Sequence, residues 1–282
     1  MNNPYFLDWE ITSKCNFNCK FCYINKEKDL SDEECSIIAK QLAKSDFFEI
    51  KIGGGEPLLR KHLVFKIGKL LSRTKNTVLV TNGYLIKEED IDKIKSSFKK
   101  VQLSFHSAED ALFTSLNQVK SSFKKVLGNI NLLIQNNVPV VINFVLTSLN
   151  FEALDAVYKF AQRKNLKIRV IRYRGNKFIP KGDIERLYKK FKNYKNISFD
   201  DGFNFWKKKK CGAIKNTLAI SSSGDVYPCT WLRNKKFKLG NITCTPLNEI
   251  INSTKAKSIL NKINKAISTH EEGCPIFIEN FK

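Results

Sequence analysis

From Tyr5 to Arg174 short apolar runs alternate with longer amphipathic stretches. The runs Tyr5–Thr12, Phe48–Ile52, Thr77–Val80, Val101–Phe105, Val138–Val145 and Lys167–Ile171 are β-rich and of strand length. Between them, Ser31–Ser45, Lys61–Ser72, Glu88–Phe98, Val119–Gln135 and Phe151–Arg163 place apolar residues at helical spacing over three or more turns. Ser31 followed by Glu33 and Glu34 reads as a helix cap with an acidic first turn. Strands alternating with helices imply parallel pairing through right-handed crossovers, so the pattern predicts an α/β fold, a partial (β/α)6 barrel. Six units fall short of the eight that close a barrel, which leaves a lateral cleft, and functional groups belong at the C-terminal ends of the strands.

After Gly175 the pattern changes. A basic helical connector, Ile184–Lys195, leads to two β-like runs within Thr217–Cys229, separated by the turn residues Ser221-Ser222-Ser223-Gly224-Asp225, and Asn248–Ala266 reads as a helix. The expected division is a barrel over 1–180, a connector over 181–210 and a small α+β module over 211–282.

With 42% hydrophobic and 11% aromatic residues, and only 13 Gly and 7 Pro in 282, the chain has enough apolar surface to fold and is neither collagenous nor linker-like. No run approaches the roughly 18 apolar residues of a membrane span, and Met1-Asn2-Asn3-Pro4 does not open a signal peptide, so a cytoplasmic protein without membrane contact is expected. The net charge of +22 suits an acidic peptide, a nucleotide or nucleic acid. Lys and Asn are abundant throughout, however, as an AT-rich coding sequence alone would make them. The densest basic stretch is Lys207 to Lys210.

The eight cysteines change the picture most. Without an export signal they point to metal rather than disulfides. They form two sets, with Cys35 alone between them in an apolar helix face, where an inert core thiol is expected. Cys15, Cys19 and Cys22 follow the first strand as Cys-x3-Cys-x2-Cys. Three thiolates so close hold three corners of a [4Fe–4S] cube and leave one iron open, whereas a structural zinc needs a fourth ligand that this loop does not offer.

This loop resembles that of the radical S-adenosylmethionine (SAM) superfamily. The resemblance implies that SAM chelates the open iron, that one-electron cleavage of SAM yields a 5′-deoxyadenosyl radical, and that the radical takes a hydrogen atom from substrate. It places Phe21 near the adenine. Gly53-Gly54-Gly55-Glu56-Pro57 after the second strand resembles the family's GGEP motif, with Gly54 and Gly55 giving close backbone approach and Glu56 accepting from the SAM ammonium. Thr81-Asn82-Gly83 after strand three resembles a turn that shapes the same pocket. Ser104 and Asn143, polar in apolar runs, should face the barrel interior, where relatives reach the SAM ribose or carboxylate. His106 stands where many relatives have Asp, and either touches substrate or caps the next helix. Arg172 and Arg174 share one side of strand six and Arg169 takes the other; Arg172 is the one assigned to the SAM carboxylate or an acidic substrate group.

The second cysteine set resembles the SPASM or twitch extension of these enzymes: Cys211 to Gly224 to Cys229 follows Cys-x12-Gly-x4-Cys, with Leu239-Gly240-Asn241-Ile242 and Leu247-Asn248-Glu249-Ile250 beyond it. The resemblance implies one auxiliary [4Fe–4S] cluster held by Cys211, Cys229 and Cys274. Cys244 is either its fourth ligand or a free thiol hydrogen donor. A radical SAM enzyme is therefore expected, oxygen-sensitive, fed by an electron donor such as flavodoxin or ferredoxin, and most often of the kind that modifies ribosomally made peptides by thioether or carbon–carbon crosslinking, epimerisation or oxidation. The rival readings are a small-molecule or nucleotide-modifying enzyme whose substrate binds the auxiliary cluster, and a non-catalytic iron–sulfur carrier or nucleic-acid binder. The glycine motif argues against the last, since a carrier needs no methionine-binding turn.

Overall fold

The structure, a computed structural model, describes residues 5–173, 179–203, 211–268 and 274. Along the chain run β1 (Phe6–Glu10), α1 (Asp32–Ala43), β2 (Glu49–Gly53), α2 (Lys61–Leu71), β3 (Asn76–Thr81), α3 (Ile91–Ser97), β4 (Lys100–Ser104), α4 (Asp110–Asn117), α5 (Ser122–Gln135), β5 (Val140–Leu146), α6 (Leu154–Arg163), β6 (Lys167–Arg172), α7 (Lys181–Phe191), β7 (Ile197–Phe199), β8 (Thr217–Ile220), β9 (Asp225–Tyr227), β10 (Gly240–Asn241), α8 (Leu247–Asn252) and α9 (Thr254–Ser268).

All ten strands belong to one sheet, in the order β10-β9-β8-β1-β2-β3-β4-β5-β6-β7. From β1 to β7 every pairing is parallel, the arrangement the strand–helix alternation requires. β2 is buried at all five positions, as a parallel strand covered on both faces must be. Leu79, Val101, Leu103, Ile142, Phe144, Ile168 and Val170 stand at alternate positions along their strands and belong to the core. The inner row then reads Ser104, paired with Asn143, which is paired with Arg169.

The cysteine module joins this sheet at its other end. β8 runs parallel to β1, with Phe6 opposite Thr217 and Trp9 opposite Ile220, and β9 and β10 follow antiparallel. The predicted hairpin is thus real, and it extends the barrel wall.

Local departures from the sequence reading have identifiable causes. α1 starts as expected at Ser31, in a reciprocal capping box with Glu34. The stretch read as one helix from Val119 begins only at Ser122, because Gln118 and Ser121 sit at φ 63° and 58°. Gln118 is the left-handed C-cap of α4, a helix the periodicity did not predict. Ser253, extended at ψ 156°, likewise splits Asn248–Ala266 into α8 and α9, and its Oγ accepts from the Ala256 N–H at 3.1 Å. The connector helix starts at Lys181, just after Pro180, rather than at Ile184. Among the described residues no helix is long and apolar enough to cross a membrane. Arg174 and Lys207 to Lys210 lie outside the described residues.

Candidate functional site

Cys15, Cys19 and Cys22 line one cavity at the C-terminal ends of the parallel strands, together with Phe21, Gly54, Gly55 and Asn82. The loop that carries them is tied at both ends. Asp29 closes its base, accepting from Thr12 Oγ1 at 2.6 Å and from the Ser13 N–H at 2.8 Å. Burial alone would raise the Asp29 pKa, but these hydrogen bonds hold it below the usual value. On the far side, the last carbonyls of α4 accept from the loop backbone: Asn117 O from the Asn18 N–H at 3.1 Å and Leu116 O from the Lys20 N–H at 3.0 Å. These are helix-end carbonyls with no partner inside the helix, so the cysteine loop doubles as the C-cap of α4.

The glycine turn has a different task from the one the sequence suggests. The Gly55 N–H donates to Thr12 O and the Glu56 N–H to Lys14 O, both at 2.8 Å. A Cβ on Gly55 would lie 2.2 Å from Lys14 O, and one on Gly54, at φ +138°, 2.3 Å from Thr12 O. The glycines let the turn lie flat against the backbone that leads into Cys15. Glu56, expected to accept from an ammonium, is fully buried and turned away. Its carboxylate accepts from Thr81 Oγ1 at 2.7 Å, the Asn82 N–H at 2.8 Å and the Leu58 N–H at 3.0 Å, and it is not in the cavity wall. Burial lifts its pKa to about 7 against these donors. It positions the Thr81-Asn82-Gly83 turn, from which Asn82 Nδ2 reaches Asn16 Oδ1 at 2.9 Å and Cys15 Sγ at 3.9 Å.

Ser104 and Asn143 face the cavity as their alternation predicts. Asn143 is 6% exposed, and its Oδ1 is buried with no hydrogen-bond partner. Arg172 does not join them. It falls on the opposite face of β6, with Nη1 on Gly202 O at 3.2 Å and its N–H on Asp200 Oδ1 at 3.1 Å. The expectation chose the wrong member of the alternation: Ile171 lines the cavity and Arg169 shares its side.

The thiols carry their own electrostatic signature. Burial pushes Cys19 up to about 12, and Cys15 and Cys22 add to the shift as neighbouring like charges; Cys15 is raised in the same way. Ionising buried thiols in such a place requires a compensating cation. By the chemistry of the donor set, the thiols and the orphaned Asn143 oxygen therefore fit a cluster with a polar cofactor beside it.

In the second set, burial raises the Cys211 pKa first, followed by Cys274 and then Cys229. Cys211 and Cys229 are brought together where Ile214, at φ 65°, donates its N–H to Pro228 O at 3.0 Å. Cys244 donates its N–H to Asn241 O at 3.2 Å. It is exposed in the turn after β10, 3.5 Å from Thr243 Oγ1. Cys35 is a buried thiol on the inner face of α1, raised to about 11 by burial, and Arg60 only partly offsets that.

Between the two sets, Tyr23 and Trp231 pack with ring centroids 4.8 Å apart. Below them Arg233 pairs with Glu10 at 2.6 Å and with Glu27 at 3.7 Å, and Ser223 Oγ donates to Glu27 at 2.8 Å. The cysteine loop, β1 and the C-terminal module are thus pinned together. The sequence reading missed α4 and Arg233. α4 is too short for a strong period, and a lone Arg carries no motif.

The profile of the radical SAM superfamily matches residues 9–161, and that of an iron–sulfur cluster-binding domain, SPASM, matches residues 211–275. The GTP 3′,8-cyclase of Campylobacter jejuni subsp. doylei is 32% identical over 182 residues, 61% of this chain and 56% of that protein. The chain spans about half the length of the curated relatives it matches. Streptococcus suis SuiB bound to the precursor peptide SuiA superposes with a TM-score of 0.79 at 18% identity, over 98% of this chain and 70% of that one. Native anSMEcpe with bound AdoMet gives 0.71 at 23% identity, over 90% and 83%.

Proposed function

The chain belongs to the radical SAM superfamily, with a SPASM domain, and we propose that it is a peptide-modifying member, acting on a ribosomally made peptide held between its two cysteine sites. The observation that carries this reading is the likeness to SuiB with its precursor peptide, which spans 98% of the chain, cysteine module included. The cyclase match spans 61%. That match favours a second reading, a nucleotide substrate.

The enzyme uses [4Fe–4S] clusters and SAM, which when bound supply a 5′-deoxyadenosyl radical for hydrogen abstraction. Cys15, Cys19 and Cys22 hold the SAM cluster in this proposal, and Cys211, Cys229 and Cys274 the auxiliary one. The Asn143 oxygen takes a donor from SAM, Ser104 lies beside it on the paired strand, and Phe21 closes the apolar side. Glu56 acts through the Thr81–Gly83 turn. The +22 charge favours an acidic peptide, and a flavodoxin or ferredoxin delivers the electron.

The test is isotope transfer. With a strong reductant, deuterated precursor peptides from neighbouring genes should pass deuterium into 5′-deoxyadenosine. Transfer from deuterated GTP and none from any peptide would replace this reading with the nucleotide one.

A further inference from the structure

His106 lies just beyond β4, 8% exposed, in the wall of the cavity that Ser104, Asn143 and Val145 also line. Its Nδ1 accepts the Val145 backbone N–H at 3.2 Å. A backbone amide can only donate, so Nδ1 carries the lone pair and the proton sits on Nε2. Burial drives the pKa down to about 3, which leaves the ring neutral. The ring is also held in place: it stands edge-on to Phe21 with centroids 4.9 Å apart, and its own carbonyl accepts from Asn150 Nδ2 at 3.2 Å.

Its remaining nitrogen has no partner among the described residues and is not sealed from solvent. In a residue so buried, the opening is the cavity itself. Helix capping, the other role open to this position, is not what His106 does: the N-cap of α4 is Glu109, and it is Ser107 that turns the chain before it, its Oγ accepting from the Glu109 N–H at 3.0 Å.

We infer that His106 is a substrate-binding residue whose Nε2–H holds a carbonyl oxygen of the substrate inside the cavity. An uncharged, oriented donor selects a neutral acceptor. An anion would find no counter-charge there, and a hydrogen-bonding site rejects ligands that leave its buried group unpaired. Identifying the carbonyl as a peptide amide rests on the peptide reading above. Gripping an amide carbonyl also fixes the adjacent Cα–H, and rate depends on that kind of placement.

The probe is N-acetylglycine N-methylamide, with acetate as its charged counterpart, followed by saturation-transfer NMR on anaerobic SAM-loaded holoenzyme. Wild type, His106→Phe and His106→Gln are compared at matched iron and SAM occupancy. The amide should bind about three- to tenfold more weakly to the Phe variant, with Gln restoring most of the loss because its side-chain amide can donate. Acetate should show no dependence on residue 106. Equal amide binding in all three proteins, or acetate binding that follows His106, would overturn the assignment. Guanosine, which also carries a ring carbonyl, separates the two claims: if it depends on His106 and the amide does not, the donor stands and the peptide reading falls.

Discussion

Asn143 is the residue whose environment asks most clearly for a ligand. An amide oxygen buried without a partner costs about 1–3 kcal/mol, and a cofactor donor removes that cost. Asn143→Leu should therefore fold at least as stably as wild type and bind SAM about tenfold more weakly, measured by equilibrium dialysis against the reconstituted protein. Unchanged affinity would place SAM elsewhere. We propose that Cys244, exposed in the turn after β10, is the free thiol of the two roles the sequence left open and contributes no iron. Cys244→Ala is expected to keep its iron content and its reduced-state electron paramagnetic resonance spectrum, and loss of either would restore it as a ligand.

Two glutamates set a pH dependence. Glu10 and Glu56 both have pKa values raised by burial from 4.5 to about 7, so the folded state binds protons more tightly than the unfolded one. Their contribution to stability is full below about pH 4.5 and is lost as pH rises through about 7. Two groups act in the opposite sense: the low Asp29 pKa only as pH falls below its ordinary value of 3.8, outside this window, and His106, lowered from 6.5 to about 3, within it below about pH 6.5, where it offsets one of the two glutamates and leaves the other to set the sign. The thermal midpoint should drop between about pH 5 and about pH 7.5. Glu56→Gln should flatten part of that drop, and a pH-independent midpoint in wild type would contradict the assignment.

At this scale the cysteines, Ser104 and Asn143 were legible because spacing and alternation suffice to place them. Arg172 was not: choosing between it and Arg169 needs the phase of β6 against its neighbours. Glu56 was misread because its three donors come from the Thr81–Asn82 turn and Leu58, and only the fold brings that turn to it.

Among elements, the glycine turn and α4 matter most, since both hold the cysteine loop from outside. Gly55→Ala would drive a methyl into the Lys14 carbonyl at 2.2 Å, backbone against backbone, with no flexible atom to yield. The loop must shift, so iron loading at the first site should fall while the second site keeps its own. Site-resolved Mössbauer counts on reconstituted protein check this, and full loading at both sites would show that the turn is not needed. The strands and most helices followed from periodicity alone. α4 and β7 did not, being short elements whose stability comes from what they touch.

For the whole molecule the question is what joins the two cysteine sites. β8 pairing on β1 supplies the scaffold, and the Arg233–Glu10 pair, 7% and 6% exposed at the side chains, locks it. Arg233→Met strands a buried carboxylate and should cost about 3–5 kcal/mol near neutral pH, less in acid where Glu10 protonates. A second change, Glu10→Gln, should recover much of the loss. Chemical denaturation of the four proteins forms the cycle, and an additive result would deny the coupling. The sequence showed that two sites exist, but not that one continuous sheet carries both, because a parallel strand pairing across some two hundred residues leaves no local mark.

The central claim, two separate clusters of which the first serves SAM, is tested most directly by counting iron in three anaerobically reconstituted proteins. Wild type should hold about eight irons as two cubanes. Replacing Cys15, Cys19 and Cys22 with Ala should leave about half and abolish 5′-deoxyadenosine formation, and replacing Cys211, Cys229 and Cys274 should also leave about half while retaining the spectral change on adding SAM. A first-set variant that keeps all its iron, or a wild type that holds only zinc, would contradict the account.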